Sequence, residues 1–240
     1  SDLALAEAAE VIILMVTGPE AIDALLFGED GAAPVLHPGK TLINMSSVSP
    51  RYTRELAGRL GATGVVFIDA PVSGTKKPAE EGTLLILAAG ERAQVERATP
   101  LLLTMGKKVI YCGEAGQGAM MKMTINLLLG LMMAGLAEAA HFGRQGGLAL
   151  ETILEVVLSG PLSCGLFQMK AEMLKTGDFP ANFPLKHMTK DAKFIVDTAF
   201  DTGAAAPLAH LLLHLYRLGV SRQLGDLDFA AIARVLEEMA

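Results

Sequence analysis

Short runs of apolar, β-forming residues alternate with helical patterns throughout the first half of the chain. This rhythm of strand, helix and strand is typical of α/β proteins with a parallel sheet. Continuous apolar runs such as Val11–Val16 further predict strands that are buried on both faces by covering helices. The predicted strands are Val11–Val16, Thr41–Met45, Val65–Asp69, Thr83–Ala88 and Lys108–Tyr111, and the predicted helices between them are Pro19–Phe27, Pro50–Arg59 and Glu91–Leu103.

The second half is predicted to be all-helical, because no strand-like run follows Gly118. Ala119–Phe142 is apolar on nearly every side, which predicts a helix buried against its own domain or against a partner subunit. Further helices are predicted at Leu150–Leu158, Gln168–Lys175, Lys190–Thr202, Pro207–Leu218 and Phe229–Met239. The predicted fold class is therefore an α/β Rossmann-type doubly wound sheet followed by an all-α domain. The glycine-rich turn GEAGQG marks the change, which gives domains of residues 1–115 and 116–240.

A dinucleotide-binding domain normally begins with a strand that runs into a GxGxxG loop, whose glycines let the backbone approach a pyrophosphate. The sequence contains no such motif and opens on a short helical stretch, Asp2–Ala9, that leads directly into a strand. The first strand, the phosphate loop and the next strand of such a domain are therefore missing from the sequence. A piece of a longer protein and a natural variant that has lost its loop both explain this pattern.

Composition excludes several classes of partner. A hydrophobic fraction of 51% fits a packed globular protein, and a net charge of −6 without a basic stripe argues against nucleic acid. The longest apolar run, Leu127–Ala137, is shorter than the roughly 20 residues that span a bilayer, so no membrane partner is predicted. Cys112 and Cys164 form no ligand or disulfide pattern and no secretory signal is visible, which predicts a cytoplasmic protein. The histidines lack ligand spacing, so no metal site is predicted.

Two polar residues interrupt the apolar helical segment of the second half. Lys122 and Asn126 are four residues apart, so on a helix they share one face with roughly 5–6 Å between their Cβ atoms. A lysine in an apolar wall with a lowered pKa suits a general acid that works near neutral pH. A lysine that extends to the helix edge beside a surface amide is the structural alternative.

A second candidate segment, Asp69–Thr75, leaves a strand and turns through Pro, Ser and Gly. Loops beyond the carboxyl ends of parallel strands are where open α/β sheets bind ligands. The hydroxyl of Ser73 and the backbone amides of Gly74 and Thr75 could hold a carboxylate. An ordinary turn is the simpler interpretation of this segment alone, and Asp69 itself is interpreted as a structural residue at a strand end.

Three separated segments together resemble one family. DAPVSGTKKPAEEGTL, GQGAMMKMTIN and FPLKHMTKD, in this order, are similar to the substrate loop, the catalytic helix and the C-terminal lysine segment of the β-hydroxyacid dehydrogenases, which include the 3-hydroxyisobutyrate dehydrogenases. The wording SGTKKPAEEGTLLILAAG and the ending LGDLDF most resemble the glyoxylate/succinic semialdehyde reductases within that family. The resemblance extends over essentially all of the chain.

The resemblance implies roles for individual residues. Lys122 would be the catalytic acid and base, and Asn126 would orient the substrate. Ser73, Gly74 and Thr75 would bind the substrate carboxylate. The pocket would be closed from the helical domain by Phe183 and Asp191 on the substrate side and by Lys190 on the cofactor side. The loops after two strands would lie against the cofactor through Met15, Val16, Thr17 and Ser47.

The resemblance also implies a reaction. Small aldehydic carboxylates such as succinic semialdehyde and glyoxylate would be reduced to hydroxy acids by hydride transfer from NADPH. NAD is the alternative cofactor, because the residues that choose between the two normally follow the second strand of the fold, which is missing here. A homo-oligomer, either a dimer or a tetramer, is expected from the family and from the apolar helix.

Two alternatives remain open. A phosphogluconate-type oxidative decarboxylase usually carries a His just before the helix Asn, where this chain has Ile125, and no cluster of cations for a sugar phosphate is visible. A non-catalytic dehydrogenase-like oligomerisation module would explain the absent phosphate loop. Such a module, however, would not need Lys122, Asn126 and Ser73.

Overall fold

The structure, a computed structural model, describes residues 2–239. The chain divides into two compact units, the first ending at Thr124 and the second beginning at Ile125. This division falls within the long helix Gln117–Gln145.

Among the described residues, the first unit contains a six-stranded sheet with helices between its strands. Two of its helices begin with proline in the first turn, as predicted for Pro19 and Pro50. The Ser49 hydroxyl caps the second of these by accepting a hydrogen bond from the amide of Tyr52 at 3.1 Å. The strands are β1 (Val11–Leu14), β2 (Thr41–Asn44), β3 (Val66–Asp69), β4 (Val72–Ser73), β5 (Leu84–Ala89) and β6 (Gly106–Gly113). The helices are α1 (Asp2–Ala8), α2 (Pro19–Phe27), α3 (Pro50–Gly61), α4 (Lys76–Glu80) and α5 (Arg92–Leu102).

The sheet is mixed, which corrects the expectation of a parallel one. β1, β2 and β3 are parallel neighbours, with Asn44 of β2 paired in register with Asp69 of β3. β5 runs antiparallel to β3 and β4, whereas β6 is parallel to β5. The prediction was wrong at β5 because the connection from β4 to β5 is short, with only the five-residue α4 between them, too short for a parallel crossover.

β3 and β4 are two parts of one extended segment around Pro71. β3 pairs with β2 along its length and reaches β5 only at Asp69, whereas β4 pairs with β5. Asp69 pairs with Ala89, and Val72 pairs with Ile86, in one continuous antiparallel register against β5. The amide of Leu87 donates to the carbonyl of Pro71 at 2.9 Å, which continues the ladder between them. The segment predicted as a turn is therefore largely a strand, and the chain first turns at Gly74.

Burial of the first strand on both faces is not observed. β1 lies at the end of the strand order, and Val11 and Ile13 are 40% and 38% exposed, whereas Ile12 and Leu14 are buried.

The second unit is all-helical, as predicted. Its helices are α6 (Gln117–Gln145, shared with the first unit), α7 (Leu150–Ser159), α8 (Gly165–Thr176), α9 (Leu185–Thr202), α10 (Pro207–Ser221) and α11 (Ile232–Glu237). α9 begins five residues before the predicted start, directly after Pro184. The predicted last helix is divided into a 3-10 turn, Phe229–Ala231, and the short α11.

The long helix α6 is buried along one side only. Met133 and Ala137 belong to the hydrophobic core of the second unit, while Leu128 and Phe142 are 60% and 80% exposed. By length and composition alone, α6 could cross a membrane. The sequence analysis considered only the uninterrupted apolar run Leu127–Ala137, whereas the helix stays apolar on average over 18 residues. Of the residues in that 18-residue window, 39% are buried within the structure. Core helices of soluble proteins share these properties.

A buried ion pair lies within the core of the second unit. The Lys170 ammonium is 2.8 Å from the Asp228 carboxylate, and both side chains are almost fully buried. The same carboxylate accepts hydrogen bonds from the amides of Asn182, Phe183 and Ala230 at 3.0–3.1 Å. Asp228 therefore joins α8 to the loop that precedes α9.

Removing one partner of this pair should be costly. We expect Lys170→Met to lower the free energy of unfolding by about 3–5 kcal/mol, because it leaves the Asp228 charge buried without its cation. Urea unfolding followed by circular dichroism measures the change. Lys193→Met, which removes an exposed lysine paired with Asp197, should change it by less than about 0.5 kcal/mol. Equal losses in the two variants would contradict the assignment.

Candidate active site

The loops after β1 and β2 are joined by one buried serine. The Ser46 hydroxyl accepts a hydrogen bond from the amide of Val16 at 2.9 Å and lies 3.4 Å from the carbonyl oxygen of Leu14. Its own amide donates to the side-chain oxygen of Asn44 at 3.1 Å. The loop that contains the predicted cofactor residues is thus held to the end of β2.

The predicted cofactor residues of these loops are accessible. Met15 is 63% exposed and Thr17 is exposed, while Val16 and Ser47 are half-buried. Ser46, the neighbour of the predicted contact residue Ser47, is the buried residue that fixes the loops.

The predicted carboxylate-binding turn is formed at the end of β4. Ser73 is the last residue of β4, Gly74 has a φ of +141°, and Thr75 precedes α4. A Cβ atom on Gly74 would lie 2.7 Å from the Leu84 side chain. Both the positive φ and this close approach require glycine at the turn.

The first turn of α6 is held by a carboxylate from β3. Asp69 is fully buried, and its Oδ2 atom accepts hydrogen bonds from the amides of Gly116 and Ala119 at 3.1 and 2.9 Å. The first amides of a helix have no partner within the helix, and a negative charge is favourable at this end. Asp69 therefore caps the helix that carries Lys122, which lies three residues after Ala119 and is half-buried.

Burial raises the pKa of Asp69 from its ordinary value of 3.8 to about 6. Loss of solvation is the main cause, and the hydrogen bonds from the backbone amides of Ala119, Gly116 and Gly118 oppose it. The Oδ1 atom of Asp69 has no hydrogen-bond partner among the described residues, which leaves the charged form incompletely compensated.

In the second unit, the predicted substrate residues form a polar pair. The Asn126 amide donates to Oδ2 of Asp191 at 2.7 Å, and both side chains are only 1% exposed. The ammonium group of Lys190 lies 3.3 Å from Oδ1 of the same carboxylate. Asp191 therefore fixes which way the Asn126 amide points, a role that spacing along the sequence could not reveal.

Phe183 is fixed through both its backbone and its ring. Its amide donates to Asp228, and its ring packs edge-on against Phe229 with centroids 5.7 Å apart. It lies in the loop directly before α9, the helix that contains Lys190 and Asp191.

The structure joins some of the predicted residues: Ser46 holds the loops that contain Met15–Thr17 and Ser47, and Asp191 holds Asn126 and lies beside Lys190. The sequence prediction gave Asn44 no role and treated Asp69 as structural, and Asp69 holds the start of the helix that carries Lys122. Cavities within the separate units, of about 150 Å³ beside Arg144 and about 510 Å³ beside Val11, contain none of the predicted site residues. We do not assign them to the site.

The sequence also matches known families over both halves. Residues 1–113 match the family described as the NAD binding domain of 6-phosphogluconate dehydrogenase. Residues 116–236 match the family described as NAD-binding of NADP-dependent 3-hydroxyisobutyrate dehydrogenase. The chain belongs to the β-hydroxyacid dehydrogenase family. A nicotinamide dinucleotide is accordingly the cofactor class of this family member.

Curated members of the family are similar over almost the whole chain. Glyoxylate/succinic semialdehyde reductase 2, chloroplastic, from Arabidopsis thaliana is 34% identical over 95% of this chain and 64% of its own length. Glyoxylate/succinic semialdehyde reductase 1 from the same plant is 32% identical over 94% of this chain and 78% of its own length. The chain therefore spans about two thirds to three quarters of these relatives.

Two further comparisons bear on fold and on the alternatives. The crystal structure of 3-hydroxyisobutyrate dehydrogenase from Salmonella typhimurium has a TM-score of 0.87 at 25% identity, covering 98% of this chain and 82% of that one. Cytokine-like nuclear factor N-PAC from Homo sapiens is 29% identical over 94% of this chain and 41% of its own length. The predicted two-part fold class is confirmed by the solved structure.

Close packing at the start of α6 gives a first test. A Cβ atom on Gly118 would lie 2.6 Å from the carbonyl oxygen of Leu87 and 2.9 Å from that of Asp69. We expect Gly118→Ala to lower the free energy of unfolding by about 1–3 kcal/mol, because backbone atoms must move. Gly58→Ala in α3, where no atom lies within 4 Å, should instead stabilise by about 0.5–1 kcal/mol. Urea unfolding of both variants measures the difference, and stabilisation by Gly118→Ala would contradict the packing.

The raised pKa of Asp69 predicts a specific dependence on pH. Because this pKa is about 6 in the folded protein against 3.8 as the ordinary value, folding is favoured while the carboxyl holds its proton. That stabilisation is fully present below about pH 3.8 and is lost as the pH rises through about 6. Between pH 4.5 and 7.5, the free energy of unfolding of the wild type should therefore fall by about 2 kcal/mol relative to that of Asp69→Asn.

Urea unfolding at the two pH values checks this prediction, and the comparison with Asp69→Asn cancels contributions from other carboxylates. A constant difference between wild type and variant would mean that Asp69 titrates with an ordinary pKa.

Proposed function

We propose that this protein is an oxidoreductase that reduces small aldehydic carboxylates, such as succinic semialdehyde and glyoxylate, to hydroxy acids with NADPH. The observation that supports it most directly is the placement of Lys122 on α6, one turn beyond the backbone amides that Asp69 holds. The two plant relatives are named as reductases of these two aldehydes. NADP is favoured over NAD by the description of the family that matches the second half.

The residues present fit the nicotinamide end of such a cofactor. β1, β2 and β3 are parallel, so the loops after them leave the same edge of the sheet, which is where open α/β sheets bind ligands. Ser46 holds the first two of these loops together, with Met15 and Thr17 exposed. When bound, the reduced nicotinamide supplies the hydride. Met15, Val16, Thr17 and Ser47 are the residues of the first unit that would contact it, and Lys190 is the one from the second.

Lys122 would supply the proton. As hydride adds to the aldehyde carbon, negative charge develops on the carbonyl oxygen, and an ammonium group beside that oxygen stabilises the charge and then donates a proton to it. The aldehyde gains one hydride and one proton and becomes a primary alcohol. Asp69 contributes by holding the helix backbone at Ala119, three residues before Lys122.

The remaining residues would bind and orient the substrate. The backbone amides of Gly74 and Thr75 and the hydroxyl of Ser73 are donors of the kind that hold a carboxylate. Asn126 presents an amide whose orientation Asp191 fixes at 2.7 Å. A side chain held in one orientation loses less entropy when substrate binds, which suits a positioning role.

The proposal is tested by following NADPH oxidation by the full-length protein with succinic semialdehyde and with glyoxylate. We expect turnover by the wild type and a loss of about 10²–10⁴-fold in kcat for Lys122→Ala, because the general acid is removed. The matched control, Lys193→Ala, removes an exposed lysine of α9 and should retain full activity. Substituting NADH should raise the KM for the cofactor if NADP is preferred.

Absence of turnover with every pairing of cofactor and aldehyde would overturn the reductase proposal. Full activity of Lys122→Ala would leave the reductase proposal standing but remove Lys122 from its role as proton donor.

A non-catalytic oligomerisation module is the second candidate. It is favoured by the similarity to a relative that is named a nuclear factor rather than an enzyme. This candidate predicts stable self-association without turnover. Homo-oligomerisation itself is compatible with both candidates, and the exposed Leu128 and Phe142 on α6 support it. The cytoplasmic location and the domain boundary at 115/116 stay predictions.

A further inference from the structure

The elements that the proposed function requires in the first unit come from distant parts of the sequence. The loops after β1 and β2 would hold the nicotinamide, whereas Lys122 lies on α6, more than seventy residues later. A reaction between the two requires their relative position to be fixed closely, since a misplacement of about 1 Å can cost about 100-fold in rate. Buried polar side chains at the ends of β2 and β3 lie between these elements.

We call the buried side chains of Ser46, Asn44 and Asp69 the polar chain. Its first part connects the loops to β2. The amide of Val16 donates to the Ser46 hydroxyl at 2.9 Å, and the amide of Ser46 donates to Oδ1 of Asn44 at 3.1 Å. Asn44 is fully buried at the last position of β2. One side of the Asn44 amide is thereby committed to the loops.

The second part connects β3 to α6. Oδ2 of Asp69 accepts the amides of Gly116 and Ala119, so one side of this carboxylate is committed to the helix. Asp69 is the last residue of β3, and it is as fully buried as Asn44.

The two parts meet on neighbouring strands. Asn44 and Asp69 are paired in register, and in-register residues of parallel strands point to the same face of the sheet. The atoms left without a hydrogen-bond partner among the described residues are Nδ2 of Asn44, a donor, and Oδ1 of Asp69, an acceptor. The leftover groups are complementary in type, but no hydrogen bond joins them, so what links the two halves is the parallel pairing of β2 with β3.

We infer that Asn44 and Asp69 are positioning residues that hold the first turn of α6, and with it Lys122, against the loops after β1 and β2. This inference rests on the proposed function. Nδ2 of Asn44 and Oδ1 of Asp69 are buried without a hydrogen-bond partner among the described residues, and such unmet groups are destabilising. The raised pKa of Asp69 reflects that cost. Alignment of the reacting elements is the benefit that accounts for it.

Kinetics of substituted proteins test the inference. In Asn44→Leu and Asp69→Leu, kcat should fall by about 100-fold, because Lys122 is displaced relative to the nicotinamide loops. The KM for the aldehyde should change by less than about threefold, since the turn at Ser73 is untouched. Asp69→Asn keeps an acceptor for the α6 amides and should retain at least about ten times the kcat of Asp69→Leu.

Amide hydrogen exchange provides a readout that does not require activity. Among the described residues, Asn44 makes no hydrogen bond to the amide of Gly116 or Ala119, so a purely local role would leave exchange at these amides unchanged in Asn44→Leu. If Asn44 holds α6 through Asp69, exchange at both amides should accelerate by about tenfold or more. Thr53→Val is the matched control, because it removes a buried hydroxyl of α3 that lies outside the polar chain. It should leave both kcat and exchange at these amides unchanged.

The outcomes separate this inference from the proposed function. Turnover that depends on Lys122 but survives in Asn44→Leu and Asp69→Leu, with unchanged exchange at Gly116 and Ala119, would overturn the inference and leave the function standing. A wild type without turnover would overturn the function, and exchange would then decide the inference alone. If Asp69→Leu does not fold, Asn44→Leu and Asp69→Asn still decide it.

Discussion

The chemistry proposed for the first unit depends on the carboxylate of Asp69, which is fully buried, where a charged carboxylate is destabilised. Asp69 has lost its solvation, and burial raises its pKa to about 6. What offsets this cost is the set of amides at the start of α6, which would otherwise be without partners. The bond pattern leaves no room for a side chain at Gly118, whose Cβ would meet backbone oxygens. The hydrogen bonds of Asp69 and the close packing at Gly118 therefore fix the position of the start of α6, and with it that of Lys122.

Features that depend on local chemistry were predictable from the sequence. Prolines at the first turn fixed the starts of α2, α3 and α10, because proline is compatible with that position and poorly compatible with later ones. The long α6 followed from its unbroken helical composition, and the change from strands to helices was visible as the loss of β-forming runs after Gly118. The family resemblance rested on the same kind of local evidence, since whole segments matched.

Features that depend on pairing between distant residues were not predictable. The residues around Pro71 have the composition of a turn, yet the chain stays extended there because β5 supplies hydrogen bonds to it. In the site, the sequence prediction gave Asn44 no role, because its importance lies in its register with Asp69. Nothing in the order of residues shows which side chains that register brings side by side.

Membership of the family does not by itself decide between an enzyme and a scaffold, since relatives with names of both kinds match this chain. The buried polar groups distinguish the two, because they lower the stability of the fold unless they serve a purpose. A module for self-association gains nothing from the directions that Asp69 and the Asn126–Asp191 pair impose, and in place of that pair apolar side chains of similar volume would pack at lower cost. Each of these groups fixes the direction of a helix start or of an amide donor. Directed donors are what a reaction at a carbonyl carbon requires, so the pattern of buried polarity favours the enzyme.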